Sequence, residues 1–405
     1  MSDYLPKETT RTRINGTSKA AAISHYLVPE EIIREILLWL PAKSLCRFST
    51  VCKSWSSMIQ HSTFIDTHLK RRGQYNNRND IVHLLLSEHT TASSCTSYVM
   101  KDDPAILDGD ECYTKFKYPS SEHLDVDFCS LIGTCNGLIC LAYDDMPMTS
   151  EVPTIIWNPS VRKIVILPTP IISQSTSSYL QTHAFGYDAE SDDCKVLRIL
   201  LSEDRLLETK LCEVEVYSLA RNSWKRLSST TFPASLRSIV WFTRKYVFVN
   251  NALHWPQCQD FDKDKNIIVF FDMASELFSQ IEMPEAFSDE RKVISVARYG
   301  ESLALIDIKM RGFDIWVMKE YGVVQSWTKI LGISSLKFCY LSLFDCRSSG
   351  ELVFGKIETG RRELNRVNYK TKQVEKFRIN GRKYMGIDSF VDSIVLLDQT
   401  NAIPY

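Results

Sequence analysis

Residues Leu27–Leu69 read LVPEEIIREILLWLPAKSLCRFSTVCKSWSSMIQHSTFIDTHL, and this stretch decides how the N-terminal part of the chain folds. Pro29 opens a helix: its missing N–H costs nothing in a first turn and its fixed φ suits the position. Glu30 and Glu31 follow at the positive end of the helix dipole. Ile32, Ile33, Ile36, Leu37 and Leu40 recur at three- and four-residue spacing, which makes an apolar stripe. Pro41 ends that helix. Leu45, Phe48 and Val51 give a second short apolar face, and Trp55, Met58 and Ile59 a third. Three short helices are predicted. A unit of about 40 residues buries too little surface to be robust alone. Its first helix is apolar over more of its girth than one core face needs, so the surplus belongs to the rest of the chain or to a partner.

Pro29-Glu30-Glu31, Glu35-Ile36-Leu37, Leu40-Pro41-Ala42-Lys43-Ser44-Leu45, Arg47-Phe48 and Val51-Cys52-Lys53-Ser54-Trp55 together resemble the F-box in its plant form. Val28 separates Leu27 from Pro29 where that family usually has a Leu-Pro pair, and Ser49-Thr50 replaces bulkier residues. The resemblance implies docking on a Skp1-like adaptor and, through it, on a cullin and a RING protein in a ubiquitin ligase. Carried over position by position, the implied Skp1-binding residues are Leu27, Pro29, Ile33, Ile36, Leu37, Leu40, Pro41, Leu45, Phe48, Val51, Cys52, Lys53 and Trp55.

The remaining residues bound the rest of the reading. At 405 residues, two or three domains are the first expectation. A net charge of −1 gives no electrostatic case for a nucleic acid or an anionic membrane as partner. Aromatic content of 11%, with eight Trp and seventeen Tyr, favours β-structure over a helix bundle. No apolar run reaches the length of a membrane span. Residues 1–24 are polar, lack the apolar centre of a secretory signal, and are expected to form a flexible tail. A cytoplasmic or nuclear location follows, and with it twelve reduced cysteines; none of them forms a Cys-x-x-Cys pair. No metal site and no cofactor are expected.

Beyond residue 130 the chain repeats itself, and a repeat outranks other signals. Its core is a short apolar strand, a polar turn and a second strand. The copies are Ile155–Pro168, Glu215–Leu227, Val269–Met283, Ile315–Ile330 and Arg366–Ile379, with equivalent positions Trp157, Tyr217, Phe271, Trp316 and Asn368 spaced 60, 54, 45 and 52 residues apart. Another hairpin precedes each copy: Thr134–Leu141, Phe185–Ile199, Val247–Trp255, Val293–Ile308 and Leu341–Ile357. Two hairpins per repeat make a four-stranded propeller blade. Five blades are read directly. A sixth is expected from Tyr384–Leu397 closing against a strand before residue 130, such as Ile81–Leu86 or Tyr113–Tyr118, with Ser87–Tyr98 a loop between them.

Trp157-Asn158-Pro159-Ser160 with Leu167-Pro168, Phe185-Gly186-Tyr187-Asp188, Val216-Tyr217-Ser218 with Asn222-Ser223-Trp224, and Ile315-Trp316-Val317-Met318 resemble the kelch-like F-box-associated domain of plant F-box proteins. The expected architecture is therefore multidomain α+β. A three-helix F-box at 25–70 precedes an all-β propeller of about six blades at 80–400. The implied function is substrate recognition for a Skp1–cullin–F-box (SCF) ligase, leading to ubiquitination and proteasomal degradation of one or more protein substrates. The alternative is an F-box adaptor or scaffold that acts without degradation, including recognition factors of the self-incompatibility type. A propeller enzyme is a distant third, since neither a Gly-x-Ser-x-Gly elbow nor a His-Glu-x-x-His pair is present.

Chain reversal at every strand puts the turns between strands one and two, and three and four, on one face of a propeller. The longer segments Asp145–Pro153, Pro170–His183, Leu201–Cys212 and Gln257–Lys265 fall to the opposite face, where binding loops concentrate. Tyr179, Leu206, Leu207 and Phe261 are the expected substrate anchors there.

Overall fold

The computed structural model describes residues 28–78, 83–91, 94–101, 113–117, 119, 129–143, 153–172, 179–204, 209–228, 246–257, 266–287, 293–309, 312–333, 341–346, 351–358, 361–368, 371, 373–376 and 384–404. The N-terminal unit holds four helices: α1 (Glu30–Leu38), α2 (Ala42–Phe48), α3 (Lys53–Ile59) and α4 (Ser62–Arg78). The fourth corrects the expectation of three. Apart from Tyr75, its apolar residues, Phe64, Ile65 and Leu69, all precede KRRGQYNNR, so no long stripe marks it.

Each short helix starts where its sequence allows. The Pro29 carbonyl accepts the N–H groups of Ile32 and Ile33, and the Cys52 Sγ accepts the Trp55 N–H at 3.5 Å. Leu37, Leu38, Ala42, Leu45, Ile59, Phe64 and Ile65 form the shared core. Phe48 and Trp55 pack edge to face with ring centres 5.6 Å apart. His68 of α4 bonds through Nε2 to the Leu40 carbonyl at 2.9 Å, tying α4 to the end of α1.

Antiparallel meanders make up the rest. The first three strands are β1 (His83–Thr91), β2 (Ser94–Lys101) and β3 (Tyr113–Lys117). Four-stranded meanders follow: β4 (Ser130–Cys135), β5 (Leu138–Ala142), β6 (Ile155–Asn158) and β7 (Lys163–Ile166); then β8 (Tyr179–Asp188), β9 (Asp193–Asp204), β10 (Thr209–Ser218) and β11 (Ser223–Arg226). The next comprises β12 (Val247–Val249), β13 (Ala252–Gln257), β14 (Ile267–Asp272) and β15 (Leu277–Glu282). The last two are β16 (Val293–Tyr299), β17 (Ser302–Lys309), β18 (Gly312–Met318) and β19 (Trp327–Ile333), and β20 (Leu341–Cys346), β21 (Glu351–Glu358), β22 (Arg361–Asn368) and β23 (Gln373–Lys376). A parallel bridge, Tyr299 to Cys346, joins these last two meanders.

Finally β24 (Tyr384–Phe390) returns to pair with β1, from His83 opposite Phe390 to Leu86 opposite Ile387. The C-terminal β25 (Ile403–Pro404) adds to the edge of β7. The five repeat cores and the hairpins before them coincide with these strands. Ser87–Tyr98, expected as a loop, is instead mostly strand, with Ser87 opposite Ser97 and Glu88 opposite Thr96; its polar sequence hides the pairing. The closing strand ends at Phe390 rather than Leu397, and Val391–Leu397 leaves the sheet.

The sheets meet through strands near one edge of each meander. β4 touches β24 and β8, β13 touches β8 and β16, and β20 touches β16 and β24, which closes a cycle. β5 (LICLA) and β6 (IIWN) are covered on both faces and buried at every position rather than alternating. Between the β8–β11 and β12–β15 sheets, Leu197, Ile199, Val214, Val216, Leu253, Trp255, Val269 and Phe271 form one core. Trp224 on β11 and Trp327 on β19 each donate an indole N–H to the end of the preceding sheet, to the Pro168 carbonyl at 2.8 Å and the Glu282 carbonyl at 3.3 Å.

The β4–β5 turn is Asn136-Gly137, with φ of 52° and 78°. A Cβ on Gly137 would lie 2.2 Å from Ser393 Oγ and 2.5 Å from the Val391 carbonyl oxygen. Gly137→Ala is therefore expected to lower stability by about 2 kcal/mol or more, read as a lower denaturant midpoint. Truncation after Ile387 strips three residues from β24 along with everything beyond, opens the ring and is expected to give aggregated protein on size exclusion. A soluble, cooperatively melting truncation product would contradict the closure.

Candidate functional site

Helix α1 is apolar in two directions. Leu37 and Leu38 point into the helical core and are sealed there. On the other side, Val28, Ile32, Ile36 and Trp39 follow one another at steps of four, four and three residues and are 51%, 51%, 57% and 59% exposed. Val51, from the α2–α3 connection, is 61% exposed. All five stay more than half exposed, which is the signature of a partner surface.

Of the residues expected to bind Skp1, Pro29, Ile36, Pro41, Val51, Cys52 and Lys53 are exposed, and Ile33, Leu40, Phe48 and Trp55 are half-buried. Leu37 and Leu45 are wholly buried among their own chain's side chains, where they support the face without reaching a partner. Leu27 lies outside the described residues. Val28, Ile32 and Trp39 are missing from that set. Splitting the apolar stripe of α1 into two opposed faces finds them.

Arg71 of α4 gives no sequence signal. Its guanidinium grips the Glu35 carboxylate with two bonds, 2.8 and 3.1 Å, and lies 5.5 Å over the Trp39 ring. These bonds hold the Glu35 carboxyl below the usual carboxylate range. Arg71 thus fixes two neighbouring side chains on the outer side of α1.

The other side of the helical unit rests on the β-domain. Ile394 belongs to the helical core, and Val161, Val395 and Leu397 pack against it. The Asn158 amide donates to the Ser393 and Val395 carbonyls at 3.1 and 2.7 Å, and its oxygen accepts the Ser160 N–H at 2.9 Å. The helices therefore sit over the β6–β7 turn, on the same face as the other short turns. The face of the two-to-three loops lies opposite.

Of the anchors expected on that opposite face, one lies among the described residues. Tyr179 lies within β8, paired with Ser202, because β8, β9 and β10 run further than their sequences suggest. Leu206, Leu207 and Phe261 lie outside the described residues.

A cavity of about 500 Å³ opens among the short turns of the β8–β11 and β12–β15 sheets, lined by Asp188, Lys195, Arg221, Lys225 and Glu276 among others. Lys195 is buried between Asp188 at 2.9 Å and Glu276 at 3.0 Å, and donates to the Met273 carbonyl at 2.8 Å. Lys225 reaches Glu276 at 2.6 Å. Burial pushes the Asp188 carboxyl up, but bonds from Ser191, Lys195 and the Glu190 N–H outweigh it and bring it down to about 2. Asp188 and Asp193 of this acidic turn are thus committed internally: Asp193 accepts the Ser218 hydroxyl at 2.5 Å and the Ala220 N–H at 2.9 Å. Among the described residues no cluster of His, Cys, Asp and Glu is arranged to hold a metal.

Residues 27–66 match the F-box domain family, and residues 82–400 match the family described as the F-box associated beta propeller domain. The chain belongs to the F-box proteins that carry an F-box-associated β-propeller. It is 30% identical over 330 residues to the Arabidopsis thaliana F-box protein CPR1, covering 76% of this chain and 74% of that one. It is 27% identical over 318 residues to an F-box/kelch-repeat protein of Arabidopsis thaliana, covering 77% of this chain and 81% of that one. An F-box implies Skp1 binding within an SCF complex, and proteins of this family are generally non-catalytic substrate receptors.

His254 gives this scaffold a pH dependence. It is buried, stacks on Phe270 with ring centres 5.5 Å apart, and its Nε2 meets the Tyr321 hydroxyl at 2.8 Å. Burial drives its pKa down to about 4. The unfolded chain takes up this proton below about pH 6.5 while the fold refuses it until about 4, so stability is complete above 6.5 and falls between 6.5 and 4. The expected loss is about 3 kcal/mol. In denaturation at a series of pH values, His254→Gln should flatten that part of the curve relative to wild type. Equal slopes for the two proteins would contradict the assignment.

Proposed function

We propose that this chain is the substrate-recognition subunit of an SCF ubiquitin ligase. The helical unit docks on a Skp1-like adaptor through Val28, Ile32, Ile36, Trp39 and Val51, flanked by Pro29, Pro41, Cys52 and Lys53. Leu37, Leu40, Leu45, Phe48 and Trp55 hold that face in shape from behind. The β-domain is a ring of six blades that holds a protein substrate on the face opposite the F-box, for ubiquitination and proteasomal degradation. The chain performs no bond chemistry of its own. Holding a substrate and the ligase in one assembly raises the effective concentration of the target lysine near the charged conjugating enzyme. A cytoplasmic or nuclear location is part of this reading, in keeping with the free thiols of the described cysteines.

The observation that carries the reading is the exposed apolar side of α1 in a unit whose opposite side is buried on the propeller. Because Ile36 is exposed, Ile36→Asp costs the free protein little, yet in the complex it buries an unpaired charge. Ile36→Asp is expected to weaken binding to purified Skp1 at least tenfold, or about 1.4 kcal/mol, with the melting temperature unchanged. Leu45→Asp should instead unfold the helical unit. Undiminished Skp1 affinity in an Ile36→Asp, Val51→Asp double variant would place the docking face elsewhere. The same double variant, folded but detached from the ligase, is the bait for substrates: proteins it captures should accumulate when it is expressed and turn over with the wild type.

A further inference from the structure

We infer that Asp392 and the segment Val391–Leu397 form a built joint that fixes the F-box on the propeller, with Asp392 as its positioning residue. The inference rests on the ligase reading above, which supplies the reason for a fixed orientation.

Helix α2 begins after Pro41, whose side chain has no oxygen to offer the first N–H groups of the helix. The N–H of Ala42 instead donates to the Asp392 carboxylate at 3.0 Å, a partner 350 residues away in sequence. Arg72 of α4 approaches the same carboxylate at 3.9 Å, so two helices converge on one side chain from the propeller. The Cys46 thiol of α2 lies 4.0 Å from the Ser160 carbonyl in the β6–β7 turn.

The segment itself is shared between two cores. Ile394 is buried with Leu37, Leu38 and Leu45 of the F-box, whereas Leu396 is buried with Leu138, Val165 and Tyr217 of the propeller. Leu396 takes a φ of 75°, which a bulky residue adopts only where its surroundings enforce it. The Asn158 amide pins the Ser393 and Val395 carbonyls, and Lys163 donates to the Leu397 carbonyl at 2.9 Å. A flexible tether has neither a polar side chain bonded across it nor one side chain seated in each core.

The chemical consequence concerns lysines. A fixed F-box presents the propeller to the conjugating enzyme in one orientation, so a narrow set of lysines comes within reach. A loosened one presents many orientations and spreads transfer over more sites.

The test introduces Ser160→Cys beside the native Cys46 in the full chain and treats it with a short bismaleimide cross-linker. The product that joins Cys46 to the introduced thiol is quantified by mass spectrometry. In the Asp392→Ala background the product should fall at least fivefold, and Asp392→Asn, which keeps an oxygen for the Ala42 N–H, should restore most of it. Skp1 affinity should stay within twofold in both variants, because the docking residues are untouched. In the reconstituted ligase, self-modified lysines should form a small set for wild type and Asp392→Asn and a broader set for Asp392→Ala. Absence of the cross-link in the Ser160→Cys protein, or equal yield and an equal lysine pattern in Asp392→Ala, overturns the joint. If wild type fails to bind Skp1 or to self-modify, the ligase reading falls while the cross-link still decides the joint.

Discussion

A cycle of sheets is stable only when its last member finds its first, and here that contact is the antiparallel pairing of β24 with β1. Each sheet buries its faces only against its two neighbours, so an unclosed ring would leave two apolar faces bare and β1 without a partner on one side. Closure brings the C-terminal segment back beside the N-terminal strands. The same closure delivers Val391–Leu397 to the β4–β5 and β6–β7 turns, and the F-box helices rest on that segment and on the β6–β7 turn. Ring closure and F-box placement are consequences of one strand pairing.

Buried polar groups give this ring its register. Arg198 is buried against Glu215 and donates to the Ile172 carbonyl at 3.1 Å, while Glu215 accepts the N–H groups of Ile171 and Ile172. The connection from the β4–β7 sheet to the β8–β11 sheet is thereby held against the wall it leads to. Lys195 does the equivalent between the β8–β11 and β12–β15 sheets. Such pairs add little net stability over apolar packing, since desolvation offsets most of their attraction. Their effect here is to penalise any slip in which a buried charge loses its partner. Tyr246 acts the same way near the ring axis: its hydroxyl accepts the Phe185 N–H at 2.8 Å, and an added Cβ on Gly133 would lie 2.2 Å from it.

The division of helix α1 between two surfaces links this scaffold to its function. Its inner side completes a core that a four-helix unit of this size cannot close alone, and Ile394 of the propeller fills the gap. Its outer side remains apolar and exposed, with Arg71 holding Glu35 and Trp39 in place. Burial against a partner then returns roughly 25 cal/mol for each Å² of apolar surface covered. The receptor role proposed above requires no catalytic group.

The sequence by itself determined the F-box, from the Pro29-Glu30-Glu31 start, the proline stop and the Val51–Trp55 pattern. It determined the meanders too, because hairpins recur at 45–60 residues with Asn and Gly at their turns. These features are local, and local spacing records them. The tertiary structure alone decided which apolar residues of α1 face inward, since Leu37 and Ile36 are neighbours in one stripe and differ only in what packs against them. It also decided that the polar Ser87–Tyr98 stretch pairs as strands and that Val391–Leu397 leaves the sheet for the helices. Arg71, Asn158 and Asp392 owe their roles to partners 36, 235 and 350 residues away, and no periodicity in the chain encodes a contact of that range.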